Sequence, residues 1–204
     1  MKYSGYAIVA AAIIMATATG CRNFGLTFTQ EEKRIIDTSG STMRVLTVDN
    51  PEDKAILRNT CSEFSDRDLR SARFERLSEL MVATMTDPSN DGVGIAAPQV
   101  GISRRVIAVQ RFDKENEPVE IYPNLRIAEY LGKPEPGREG CLSIPGIYGK
   151  VMRHTGIVIT YRDGAAGKTV RDTVKGFTAV IFQHEADHLD GILYTDKADS
   201  LYAM

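Results

Sequence analysis

The sequence predicts an α+β fold in which antiparallel sheets surround one central helix, and three observations predict it. Short stretches with strand-like alternation are joined by turn signals. Two longer stretches carry the three-to-four spacing of helices with a buried face. The second of them contains Gln183-His184-Glu185-Ala186-Asp187-His188, which places two of the chain's three histidines four residues apart. On a helix that spacing puts both imidazoles on one face.

The chain has 204 residues, 43% of them apolar, and a formal net charge of -2. That length supports one well-buried core, hence one catalytic domain. Basic residues are scattered rather than gathered into a stripe, which excludes nucleic acid as a partner. Three cysteines, Cys21, Cys61 and Cys141, do not make a disulfide framework.

Taken in order, Lys2 and the apolar run 6–16 fit a secretory signal, and the run is too short to span a bilayer comfortably. Ala18-Thr19-Gly20-Cys21 resembles the lipid-attachment box of bacterial lipoproteins. Residues 1–21 are therefore expected to be a signal peptide with Cys21 as the acylated residue. The alternative is an N-terminal helix packed on the domain. Residues 22–42 are expected to form a polar tether with one short helix over 30–36, and residues 43–204 the catalytic domain.

Residues 43–48 read as a short strand, and Asn50-Pro51 as a turn. Ser65 reads as the N-cap of a helix on which Leu69, Ala72, Leu77, Leu80, Met81 and Thr84 form the buried face until Asp87-Pro88. Cys61, just before it, reads as an ordinary small residue. The stretch 92–101 reads as a tight glycine-containing loop before a strand at 105–110. Such a loop accounts for its glycines but not for Gln99 among apolar neighbours. Strands are predicted at 119–122 and 125–130, after which Pro134, Pro136 and Gly137 break the chain. A hairpin follows from alternation at 156–161 and 168–174 with a turn at 162–167. Gly176 opens the last helix, where Phe177, Val180 and Ile181 lie seven, four and three residues before His184 and so share its face. They read either as the wall of a pocket or as plain core.

An H-E-x-x-H helix can hold a divalent metal through both imidazoles, with the Glu beside the metal's water as proton acceptor. The same five residues also occur as surface histidines on an amphipathic helix. A catalytic site of this kind takes a third protein ligand. The astacin-like pattern is matched through Gly191, but its third histidine would fall on Tyr194. A thermolysin-like site would need a downstream Glu, and no His or Glu follows His188. Cys141, flanked by Gly140 and the turn-forming Ser143-Ile144-Pro145-Gly146, has the surroundings of a thiolate ligand. His154, beside Arg153 in a basic strand-like stretch, reads as a surface histidine.

The stretches Gly92-Val93-Gly94-Ile95-Ala96-Ala97-Pro98-Gln99, Glu139-Gly140-Cys141-Leu142-Ser143 and Gln183 to His188 together resemble the three signature motifs of the peptide deformylases, in the family's order. The likeness covers about residues 43–196. It implies that Cys141, His184 and His188 hold one Fe(2+), or Zn(2+) as substitute, and that the reaction is removal of the N-formyl group from N-formylmethionyl peptides. It also implies Glu185 as the proton acceptor and donor, and the Gln99 side-chain amide and Leu142 backbone N–H as oxyanion donors. Gly94 would admit the peptide backbone, Glu139 would support the ligands, and Phe177, Val180 and Ile181 would bind substrate. Asp187 would orient its surroundings. Where many members carry an arginine soon after the cysteine motif this chain has Tyr148-Gly149-Lys150, although Arg153 is present, and its short tail after Gly191 is without the long C-terminal helix of many relatives. The expected partners are N-formylated peptides or nascent polypeptides, with the chain a monomer. A lipid anchor at Cys21 would place it outside the cytoplasm, whereas translation from Met43 would leave it cytoplasmic. The alternatives are a metalloprotease-like hydrolase of another substrate and a catalytically lapsed, lipid-anchored metal-binding protein.

Overall fold

The H-E-x-x-H segment lies on helix α5 (Gly176–Leu189), in which Thr178, Ala179 and every residue from Ile181 to Leu189 are buried. A helix without a solvent face has to be enclosed by other elements. Two antiparallel sheets enclose it in the computed structural model, which describes residues 27–203. The first is ordered β1 (Gly94–Ala96), β2 (Val106–Gln110), β3 (Val119–Pro123). The second is ordered β4 (Arg126–Cys141), β5 (Ile144–Asp163), β6 (Lys168–Lys175), with β7 (Ala198–Ala203) also paired to β5. The α+β class predicted from the sequence is the one observed.

Strand alternation on β2 separates two of the three buried apolar clusters. On β2, Ile107 and Val109 pack with Phe182, Ala186 and Leu189 of α5 and with Ile157, Ile159 and Val174 of the second sheet. Their neighbours Val106 and Ala108 point the other way, onto Leu77, Leu80, Met81 and Met85 of helix α4 (Ala72–Met85). The first sheet is thus buried on both faces, and β2 reads as a continuous apolar run for that reason.

Several local expectations are corrected. Asn50 and Pro51 start a helix rather than a turn: in α2 (Pro51–Leu57) the Asn50 side chain accepts from the backbone N–H groups of Glu52 and Asp53, and Pro51 occupies the first turn. The helix capped by Ser65 is two helices. Ser65 caps the four-residue α3 (Asp66–Leu69), and Ser71 caps α4 by accepting from the Phe74 N–H, so a second hydroxyl restarts the chain in a new direction. Residues 43–48 belong to neither sheet. They run extended between two loops, with the Leu46 N–H donating to the Gln99 carbonyl at 2.8 Å and the Val48 N–H to the Ser143 carbonyl at 3.0 Å.

Pro134, Pro136 and Gly137 do not break the chain. They lie within β4, which is paired from Arg126↔Thr160 to Cys141↔Ile144 with a register shift between Leu131 and Pro134. β4 has a partner on one side only, and an edge strand is where a sheet tolerates proline. The chain after Gly191 adds β7, which is short and almost wholly exposed and so carries no alternation to predict it.

The expected tether also differs from what is observed. From Thr27 onward it packs on the domain. Helix α1 (Gln30–Thr38) has a reciprocal capping box between Thr29 and Glu32, Phe28 and Ile36 enter the core, and Glu32 pairs with Arg104 at 2.7 Å with both side chains almost inaccessible. The signal-like run, Cys21 and the first residues of the expected tether lie outside the described residues. Among the described residues, no helix is long and apolar enough to cross a membrane.

Candidate metal centre and catalytic site

Three elements converge at the middle of α5. The first contributes the end of β4: its hairpin with β5 closes at Leu142-Ser143, which leaves Cys141 at the tip, held by the hydrogen bond from Val48 to Ser143. The second is α5 itself, which presents His184 and His188 one turn apart with ring centroids separated by 5.1 Å. Their ligand atoms and the Cys141 Sγ all lie within 4.8 Å of one another, and Sγ is 3.2 Å from His188 Nε2. One sulfur and two imidazole nitrogens this close suit a single zinc or iron ion. Among the described residues, this is the one such cluster. His154 takes no part, its ring resting on Tyr130.

The imidazoles are held in place from behind. His184 Nδ1 lies 2.8 Å from Glu139 Oε2, so the N–H is directed there and Nε2 is left for a metal. Arg153 donates to both Glu139 oxygens, at 2.7 and 3.0 Å, and to Asp187 at 2.6 Å. Lys197 donates to the other Asp187 oxygen at 2.6 Å. Burial alone would raise the Glu139 carboxyl, but the hydrogen bonds from His184 and Arg153 hold it down at about 2. Tyr194, where an astacin-like site would have a histidine, instead stacks on His184 at 5.8 Å and donates its hydroxyl to the Ile147 carbonyl. Burial keeps His188 below its usual value, hence neutral as a ligand must be.

The third element is the 3-10 turn Ala97–Val100 that follows β1. It carries Gln99, which is 1% exposed. The Gln99 Oε1 accepts from the Ala96 N–H at 2.8 Å, so the amide nitrogen faces the other way, 3.5 Å from Cys141 Sγ and 3.3 Å from Ser143 Oγ. Facing it is Glu185, 4% exposed, with an Oε2 that has no protein partner. Burial pushes its carboxyl up to about 7, the range in which a group both takes and returns a proton at neutral pH.

A cleft of about 460 Å³ opens onto these groups. Phe177, Val180 and Ile181 line it, as do Gly94, Gln99, Cys141, Leu142 and Glu185. Every site residue expected from the sequence is therefore brought together here. The role of Gly94 is nevertheless specific: a Cβ there would sit 2.6 Å from Glu185 Oε1 and 2.7 Å from Ile181 Cγ2. Its missing side chain makes room for the Glu185 carboxylate and for Ile181.

The sequence pattern of the polypeptide deformylases matches residues 42–203. The chain belongs to that family. A peptide deformylase of Desulforudis audaxviator is 45% identical over 131 residues, 64% of this chain and 80% of the relative. The class I type b peptide deformylase from Acinetobacter baumannii, crystallised with K3U, superposes with a TM-score of 0.69 at 35% identity, covering 78% of this chain and 99% of that one. Its crystal structure with Met-Ala-Ser bound gives a TM-score of 0.67 at 34% identity over 76% and 98% of the two chains.

In this deformylase the sequence shows Arg153 and Tyr194 but not the way they brace Glu139, Asp187 and His184. Both act on the site through groups remote in the chain. The one local signal was the alternation of β5, which turns Arg153 inward with Val151 and away from the exposed Met152.

Proposed function

We propose that this deformylase hydrolyses N-formylmethionyl peptides by placing a base and an oxyanion donor on opposite sides of the formyl carbon. The observation that carries the reading is the forced orientation of Gln99, whose donor end points at Cys141 while the Glu185 carboxylate faces the same space. Cys141, His184 and His188 would hold Fe(2+), with Zn(2+) as a substitute, and the bound ion supplies a Lewis acid that lowers the pKa of a water. Glu185 takes the proton of the attacking water and returns it to the departing amine, and Gly94 leaves room for it to do so. The Gln99 Nε2 and the Leu142 backbone N–H receive the developing oxyanion. Phe177, Val180 and Ile181 hold the methionine side chain, and Glu139, itself braced by Arg153, keeps His184 oriented. The chain acts as a monomer anchored outside the cytoplasm through Cys21, on formylated peptides rather than on ribosome-bound chains.

Anaerobic purification followed by metal analysis and a formate-release assay on formyl-Met peptides tests this. Glu185→Ala is expected to retain one metal per chain and to lose turnover by about a hundredfold or more, the scale of a general base. Undiminished turnover in that variant would overturn the role assigned to Glu185.

A further inference from the structure

Behind the imidazoles runs a series of charges that ends at the surface, and its last member has no part in the reaction as described. Resting on the metal centre proposed above and reaching beyond its ligands, we propose that Lys197 is a positioning residue for His184. It acts through Asp187, Arg153 and Glu139, and so sets how tightly the centre holds its ion. The contacts are continuous. Lys197 Nζ donates to Asp187 Oδ1 at 2.6 Å, and Arg153 donates to Asp187 Oδ2 at 2.6 Å and to both Glu139 oxygens. Glu139 Oε2 in turn receives the His184 Nδ1–H at 2.8 Å.

The local fold brings Lys197 to this place. Gly191, at φ 72°, reverses the chain after α5, where a Cβ would collide with the Arg58 carbonyl. Arg58 then pairs with Asp196, which also accepts from the Leu193 N–H at 3.0 Å, and the two bonds pin the 3-10 turn Tyr194–Asp196. The Lys197 N–H closes that turn on the Tyr194 carbonyl at 3.0 Å. Side chains three apart on a 3-10 turn eclipse one another. Tyr194 and Lys197 therefore face α5 together, the first stacked on His184 and the second bonded to Asp187.

Charge decides what Lys197 contributes. Glu139 and Asp187, with side chains 5% and 12% exposed, have one guanidinium between them, that of Arg153, 4% exposed. One cation shared by two such anions leaves a buried negative charge uncompensated, which is costly. Lys197, 39% exposed, supplies the second cation from the rim. Among the described residues Asp187 Oδ1 has no other donor. Without Lys197 both carboxylates compete for Arg153, and the bond most easily given up is the longest, at 3.0 Å to Glu139 Oε2. That oxygen is the one that orients His184, so a loss at Lys197 reaches a metal ligand.

The experiment measures Zn(2+) affinity, by competition with a chelator, in the full-length protein, Lys197→Met, Lys197→Arg, Asp187→Asn and the double variant Asp187→Asn with Lys197→Met. The visible bands of the Co(2+)-loaded proteins, which report the ligand arrangement, are recorded alongside. So are kcat and KM on a formyl-Met peptide and the Tm of the metal-free forms. Lys197→Met is expected to bind Zn(2+) about tenfold more weakly, the lower end for a group that supports a ligand from outside. Its Co(2+) bands shift, and its kcat falls at unchanged KM. Lys197→Arg keeps the cation and restores all three. In the Asp187→Asn background Lys197→Met has no further effect, because the carboxylate it acts through is gone. A Lys197→Met protein with a lower Tm but the parent's Zn(2+) affinity and Co(2+) bands makes Lys197 a fold brace and overturns the proposal, as does an equal loss in both backgrounds. A parent that binds no metal removes the metal centre itself and the proposal with it. A parent that binds metal but releases no formate removes the deformylation reading alone, with affinity and bands still deciding the role of Lys197.

Discussion

Gln99 has one orientation open to it. Its carbonyl is committed to the Ala96 N–H, and its nitrogen then has to face Cys141. Gln99→Ala is expected to fold, to keep its metal, and to lose turnover by about a hundredfold, as when a single oxyanion donor is deleted. Formate release per folded molecule, with metal content and Tm measured alongside, checks this; a variant that unfolds with its specific rate intact would make Gln99 a loop brace only. This residue was legible in the sequence because an amide among glycine, alanine and proline has to find a partner if it is buried. Arg153 was not legible. Its partners lie 14 and 34 positions away, and the alternation of β5 marks it only as facing inward, not as paired with either.

At the scale of elements, α1 and α2 hold the site from behind. α1 supplies Glu32 to Arg104, and removing one partner of a buried pair leaves the other charge uncompensated. Glu32→Ala is expected to lower stability by about 3 kcal/mol, as is a chain beginning at Met43, which lacks α1 altogether. Urea denaturation of the three proteins checks this, and equal midpoints would mean that α1 is dispensable. The first turn of α2 carries Asp53, which accepts two bonds from Arg44, at 2.6 and 2.7 Å, and one from the Thr47 N–H at 3.2 Å. These bonds, that from Arg44 above all, hold its carboxyl below the usual range. A carboxyl depressed in the folded state stabilises fully above its unfolded value of about 3.9 and ceases to do so as pH falls through the folded value. Asp53→Asn should therefore have a lower Tm than the parent by a constant margin from about pH 7 to 5, closing below about pH 4. A margin unchanged at low pH would place the effect in packing. Because Arg44 and Thr47 lie in the segment that bonds to both Gln99 and Ser143, this pair steadies two walls of the site at once.

For the whole molecule, the family pattern begins at residue 42, yet among the described residues contacts with the domain are made from Thr27 onward. The folded unit is longer than the family's shared part. The proposed anchor at Cys21 then sits only a few residues from the domain surface, which would hold the cleft close to a membrane. Fractionation of cells expressing the full chain and Cys21→Ser is expected to find the first with membranes and the second released; a soluble, unlipidated product with Cys21 intact would return the enzyme to the cytoplasm.

What the sequence determined by itself was whatever depends on neighbours within a turn or a strand. The four-residue histidine spacing, the glycine before Cys141, the alternation of the 156–174 hairpin and the apolar face of α4 are all short-range signals, and each predicted its element or its chemistry. The tertiary structure decided which residues stand behind and around that chemistry. Arg153 reaches Glu139 and Asp187 only because β5 runs antiparallel to β4 and crosses α5. Tyr194 meets His184, and Arg138 meets Tyr148, only once the chain has folded back on itself. Pro134 and Pro136 stay in a strand because β4 is an edge, a property of the sheet and not of the residues. Contacts between distant positions leave no period in the sequence, and so they become visible only when the sheets close around α5.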